Sequence, residues 1–225
     1  MKNVTVIIVS YCSVELLKNC YNSIRKHHPT MPLLIVDGSP YQHACAKYAQ
    51  TLENECTRVA VMNYNIGHGK GMHHALQFCN TEYALLVDSD TIMHQSPVED
   101  MLQLMTPETY GVGEVMKVSE TGYNVTAGGL LYLHPWFALI SVKQYFNYLP
   151  YIHHGAPCIA AMMDVNMRGN KNMLVNFPVA DYVQHLGRGT RKQNPEEFKP
   201  KNWEKVEGRT LSEVEGNSVA KTDQL

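Results

Sequence analysis

The feature that most constrains this chain is an alternation in its N-terminal part. Short runs of β-branched and aliphatic residues, at 4–9, 33–36, 59–62 and 84–87, are separated by segments with helical spacing. An unbroken apolar run of that length suits a strand buried on both faces. Between the runs, Leu16, Leu17, Cys20, Tyr21 and Ile24 recur at helical spacing, as do Ala44, Tyr48, Ala49 and Leu52, and then Met72, Ala75, Leu76 and Cys79. Ser13 followed by Glu15 predicts the cap of the first helix, and His27-His28-Pro29 its end. Strands alternating with helices predict an α/β fold with a mostly parallel central sheet flanked by helices, every such strand ending on one edge. Ligands of such sheets bind at that edge. Tyr11, Asp37, Asn65 and Asp88 all fall at or just past predicted strand ends, so they are expected to converge on one crevice.

The remainder reads as a helix at 98–105, strands at 111–118 and 130–133, helices at 139–145 and 158–167, and a strand at 173–177. A chain of 225 residues suits one sizeable core. The expected domain runs over 1–190, in two halves at 1–95 and 96–190. Beyond Gly189 the sequence turns polar and aperiodic, which predicts a lid, arm or flexible tail at 191–225.

A formal net charge of -2 removes any global attraction to nucleic acid or anionic membrane, so a charged partner must be met locally. The six cysteines are scattered with no Cys-x-x-Cys pair, which argues against a zinc knuckle or a disulfide framework and for reduced thiols in a cytoplasmic protein. The apolar run at 4–9 is too short for a signal-peptide core, and no segment reaches transmembrane length.

Asp88-Ser89-Asp90 follows a strongly apolar strand. Two carboxylates one residue apart can share a divalent cation that also touches a diphosphate, and such a hard-oxygen site suits Mg²⁺ or Mn²⁺. Asp37 can accept the imide N–H of uracil, a proton that cytosine lacks, although Asp37-Gly38-Ser39-Pro40 also reads as a plain turn. In Asn65-Ile66-Gly67-His68-Gly69-Lys70-Gly71, alternate glycines open a helix. They either let backbone N–H groups approach an anion, with Lys70 as the phosphate partner, or simply cap the helix. The spacing fits neither a Walker loop nor a dinucleotide fingerprint.

Taken in order, Val-Ile-Ile-Val-Ser10-Tyr11, Leu-Ile-Val-Asp37-Gly38-Ser39, Asn65-Ile66-Gly67 and Leu-Leu-Val-Asp88-Ser89-Asp90 resemble the landmarks of family 2 glycosyltransferases over roughly the first 95 residues. The resemblance implies the GT-A fold, the nucleotide-diphospho-sugar transferase fold. It implies that Ser10 and Tyr11 line the nucleotide, that Asp37 meets the base, and that Asp88-Ser89-Asp90 holds metal and ribose. The late segment His185-Leu186-Gly187-Arg188-Gly189-Thr190 resembles the family's His-x-Gly-x-Gly-Ser/Thr element. It makes His185 the third metal ligand and sets Arg188, Thr190, Arg191 and Lys192 beside the diphosphate. An imidazole with two carboxylates tilts the choice toward Mn²⁺. Gly128-Gly129 resembles the segment that closes over the donor sugar, with Trp136 and Tyr132 as either a sugar platform or core.

One family element departs. Where an acidic general base is usual, this chain has His153-His154-Gly155-Ala156-Pro157-Cys158. His154 or His153 can titrate near neutrality and serve, and Asp164 is an acidic alternative that also fits a solvated helix position. His73, His74, His94 and His134 read as surface or packing residues. The expectation is a metal-dependent, inverting glycosyltransferase that moves a sugar from a UDP-sugar to an acceptor hydroxyl. The acceptor can be a glycan, a small molecule, a protein or a hydroxymethylated DNA base, as for phage-type DNA glycosyltransferases. The missing carboxylate leaves a catalytically silent nucleotide-sugar-binding module as the alternative.

Overall fold

The computed structural model describes residues 3–187 and Gly189. The first four strands are β1 (Val4–Ser10), β2 (Leu33–Asp37), β3 (Thr57–Val61) and β4 (Tyr83–Asp88). They alternate with helices α1 (Val14–His27), α2 (Ala44–Thr51) and α3 (His68–Gln77). A short strand β5 (Thr91–Met93) and helix α4 (Val98–Gln103) lead into β6 (Gly111–Val118) and β7 (Leu130–Ser141). The chain continues through α5 (Val142–Tyr145), α6 (Ile159–Met167), β8 (Leu174–Asn176) and β9 (Val183–His185).

Seven strands form one sheet in the order β3-β2-β1-β4-β7-β6-β8, and β5 pairs with β9 in a small second sheet. Within the seven-stranded sheet only β7 runs against its neighbours; the pairs β1–β2, β1–β4, β2–β3 and β6–β8 are parallel. The expected mostly parallel sheet is present, and because β7 pairs with β4, residues before and after 95 share it. Alternate residues of β1 explain why it is apolar throughout. Val4, Val6 and Ile8 pack with α1, α2 and α4 on one face, while Ile7 packs with α3 and α6 on the other. No helix among the described residues is long and apolar enough to cross a membrane.

Two local expectations are corrected. The hydroxyl of Ser13 makes no capping bond; it donates to the Tyr11 carbonyl at 3.0 Å. The predicted helix at 139–145 is strand as far as Ser141, with only Val142–Tyr145 helical, so the strand begun at Leu130 is twelve residues long. Pro135 hides that continuity in the sequence, because proline removes a ladder donor and is confined to edges and bulges. A bulge is what it occupies: Val115 pairs with Leu133 and Gly113 with Ala138, so Glu114 alone faces residues 134–137.

Candidate active site

Three strand-end loops meet around Gly38. Its N–H donates to the Ser10 carbonyl at 2.9 Å. A Cβ on Gly38 would lie 3.0 Å from the Tyr64 carbonyl oxygen and 3.4 Å from both Asn65 Cα and the Tyr11 ring, so the approach requires glycine. Asn65 is exposed and its Oδ1 accepts from Gly67 N at 3.1 Å, a turn that leads into α3. The expected convergence of strand ends is therefore present as a junction at Gly38, with Tyr11 and Asn65 beside it.

Asp37 does not face it. The residue is 0% exposed. Oδ2 accepts from Ser10 Oγ at 2.5 Å and from Cys45 Sγ at 3.2 Å, and Oδ1 accepts from Ser39 N at 3.0 Å. The predicted acceptor for a uracil imide is thus an internal brace that ties β1 to the loop after β2, and Ser10 is buried with it. The neighbouring carboxylate and burial together push the Cys45 thiol up to about 12, burial being the larger effect.

The alternate glycines of α3 also serve packing. A Cβ on Gly69 would sit 2.5 Å from the His153 carbonyl oxygen, which already accepts from Gly69 N at 3.0 Å, and a Cβ on Gly71 would meet the Val9 side chain at 2.7 Å. The helix is glycine-rich because strand β1 and the 152–154 segment press against it. Gly67, at φ +82°, turns the chain into α3, and a Cβ there would lie 3.6 Å from His154 Nδ1. The loop thereby brings His154 beside the start of α3, while Lys70 is exposed.

The glycine turn also places a residue that spacing alone did not single out. His68, the first residue of α3, sets Nε2 3.1 Å from Asp88 Oδ1. The contact lacks hydrogen-bond alignment, and Oδ1 is buried with no hydrogen-bond partner. On the other side, His185 Nε2 lies 3.5 Å from Asp88 Oδ2 and 3.0 Å from Asp90 Oδ1. Pairing of Thr91 with His185 across β5 and β9, and Leu186 N donating to the Asp90 carbonyl at 2.9 Å, hold the two chain segments together. Asp90 Oδ2 accepts from Gly189 N at 2.8 Å, where a Cβ would stand 2.7 Å from Asp90 Cβ. Gly187 is at φ +62°. The two glycines of the late element are thus explained by a left-handed turn and a backbone seated on a carboxylate. Ser89, between the acids, is buried.

Burial would raise the Asp88 carboxyl, but His68 and His185 outweigh it and hold the group well below the usual carboxylate range. Burial likewise works to lower His185, and the two carboxylates override it and push the imidazole up to about 10. Carboxylates this close need a cation between them, and the imidazolium supplies one.

The donor set fits a divalent ion. One ligand atom each from Asp88, Asp90 and His185 lie within 4.8 Å of one another. The separations of 3.0 and 3.5 Å resemble adjacent positions on an octahedron of ligands at roughly 2.1 Å. Two oxygens with one imidazole nitrogen suit Mn²⁺ better than Mg²⁺.

A model of glycosyl transferase family 2 matches residues 5–167. The chain belongs to that family. Among solved structures, this family 2 chain resembles a mannosyltransferase from Pyrobaculum calidifontis in complex with GDP-Man and Mn²⁺, at 16% identity and a TM-score of 0.60, covering 78% of this chain and 55% of that one. It resembles S. aureus TarS 1-349 at 16% identity and a TM-score of 0.58, covering 88% and 66%. It also resembles glucosyl-3-phosphoglycerate synthase from Mycobacterium tuberculosis, in complex with Mn²⁺, UDP and glucosyl-3-phosphoglycerate, at 13% identity and a TM-score of 0.54, covering 88% and 79%. The family 2 chain therefore spans 55% to 66% of the length of the first two of these, and the likeness establishes the GT-A fold. No curated protein matches by sequence.

Several expected site residues fall elsewhere. Asp164 is tied to Arg168 by bonds of 2.7 and 2.8 Å and accepts from Leu149 N at 3.2 Å, so it anchors the 147–149 loop to α6 and leaves the catalytic role unsupported. Tyr132 is buried, and its hydroxyl accepts from Cys158 N at 3.4 Å, which makes it core. Trp136 is also buried, but its ring stacks on His185 with centroids 5.1 Å apart and an interplanar angle of 11°. It is a wall of the site and not a platform open to a sugar. Arg188, Thr190, Arg191 and Lys192 lie outside the described residues.

Proposed function

We propose that this chain is a metal-dependent glycosyltransferase that moves a sugar from a nucleotide diphosphate donor to an acceptor hydroxyl. The observation that carries the reading is the meeting of Asp88, Asp90 and His185 at the sheet edge where β1, β2 and β4 end. When bound there, Mn²⁺ would neutralise the charge that develops on the departing diphosphate.

The chain's own residues bind and orient. Asp88, Asp90 and His185 are the proposed ligands, with Asp88 turned by His68 and His185 braced by the Trp136 ring. Tyr11, Gly38 and Asn65 offer walls for a nucleoside, braced from beneath by Ser10 and Asp37. Lys70, exposed in the first turn of α3, is the proposed phosphate partner, while the Gly67 and Gly69 N–H groups are taken by Asn65 Oδ1 and the His153 carbonyl. A UDP-sugar is the proposed donor, since two of the family's structural neighbours carry UDP or UDP-GlcNAc. All six cysteines are free, which favours a reducing compartment such as the cytoplasm.

The test is calorimetry of UDP binding with and without Mn²⁺, followed by release of UDP from UDP-glucose and UDP-N-acetylglucosamine. Mn²⁺ should strengthen UDP binding in the natural chain and have no effect in Asp90→Ala. Equal metal dependence in the two proteins would remove the site from the mechanism. Metal-dependent binding without turnover on water or any acceptor would favour a silent nucleotide-sugar-binding module.

A further inference from the structure

The bulge of β7 gathers groups that the fold would otherwise keep apart. Opposite Glu114, residues 134–137 loop out of the ladder, and with them come His134, Trp136 and the edge of a pocket of about 430 Å³. Its lining includes Glu114, Trp136, Asp181, Tyr182, His94 and the proposed metal ligand His185. Carboxylates and imidazoles in one pocket suit a molecule with many hydroxyls.

Glu114 is fixed in that wall by one strong bond. Trp136 Nε1 donates to Glu114 Oε2 at 2.6 Å, and the same indole lies flat on His185. Among the described residues no donor reaches Oε1, so one oxygen is anchored and the other keeps its lone pairs. The link from this carboxylate to the metal cluster is the Trp136 indole, and Glu114 and His185 line the same pocket; His134 sits on the same bulge. Its Nδ1 is turned back to accept from Trp136 N at 3.4 Å. A bulge of this kind beside a reactive cluster is a common device for re-aiming side chains.

We propose that Glu114 is the general base of the transfer and that the pocket beside it receives a carbohydrate-like acceptor; the proposal rests on the transferase reading above. It supplies the carboxylate missing from the 153–158 segment. In the step, Glu114 Oε1 takes the proton of the acceptor hydroxyl as that oxygen bonds to the anomeric carbon. The bond from that carbon to the diphosphate breaks, its electron pair leaves with the nucleotide, and Glu114 later returns the proton to water. Single displacement inverts the anomeric configuration. Trp136 acts as a positioning residue by holding the carboxylate to one orientation.

The test uses the full chain with Mn²⁺ and, as donors, UDP-glucose, UDP-N-acetylglucosamine and GDP-mannose. Nucleotide release is read with water and with a panel of mono- and oligosaccharides. Glu114→Gln keeps an acceptor for the indole but cannot take a proton, so release should fall about 100-fold or more while Mn²⁺-dependent UDP binding stays within roughly twofold. Trp136→Phe keeps a ring against His185 and removes the N–H; kcat should fall about tenfold with a smaller change in the donor KM, a split that a lost fold would not give. The glycosidic bond of the transfer product should show the anomeric configuration opposite to the donor's by NMR. Release by Glu114→Gln within about threefold of the natural chain would overturn the proposal, as would retained configuration or a loss found in His154→Gln alone. Absence of Mn²⁺-dependent UDP binding in the natural chain would instead overturn the transferase reading, and this one with it.

Discussion

His68 Nε2 lies 3.1 Å from Asp88 Oδ1, on the side of the carboxylate opposite His185. The first residue of α3 thereby sets the direction in which the last residue of β4 can present its other oxygen. Partners of this kind, which orient a ligand, are typically worth 10- to 100-fold in metal affinity. His68→Ala should weaken Mn²⁺ binding by about that factor in an electron paramagnetic resonance titration. UDP affinity measured without metal should not change. An unaltered Mn²⁺ affinity would leave His68 as packing alone.

Asp37→Ala should act first on stability. It would strand the buried Ser10 hydroxyl, the Ser39 N–H and the Cys45 thiol, for a cost of about 3 kcal/mol. Urea denaturation measures this directly. A mutant as stable as the natural chain, with UDP affinity lost, would restore the base-binding role that the burial argues against.

Gly69→Ala should also destabilise, by about 1–3 kcal/mol, because backbone and not a movable side chain meets the new methyl. Lys70→Ala, one residue on and exposed, should leave the melting temperature in place and reduce UDP affinity only. Equal melting temperatures for all three proteins would show that α3 can move away from the 152–154 segment at little cost.

Asp164→Asn removes an ion pair whose arginine is 52% exposed, so its stability cost should be under about 1 kcal/mol. Nucleotide release from a UDP-sugar should continue at the natural rate. A drop of 100-fold or more in turnover would return Asp164 to the candidates for the base.

The sequence by itself determined the frame. Runs such as Val4–Val9 and Ala84–Val87 are apolar because each strand is buried on both faces, and that is a local property that periodicity records. For the same reason the positions of Tyr11, Asn65, Asp88 and Asp90 at strand ends were legible, and the ordered motifs marked His185 as their distant partner. The tertiary structure decided which side chains face the site. Asp37 ends a strand like Asp88, yet its carboxylate is buried by Ser10, Ser39 and Cys45, an outcome set by neighbours from two other elements. His68 reaches Asp88 because glycines let α3 press close to β1. Glu114 and Trp136 meet only because a twelve-residue strand bulges around Pro135, where local propensity predicts a break. Pairing across such separations is fixed by burial and ladder hydrogen bonds between remote segments, and those energies leave no period in the chain.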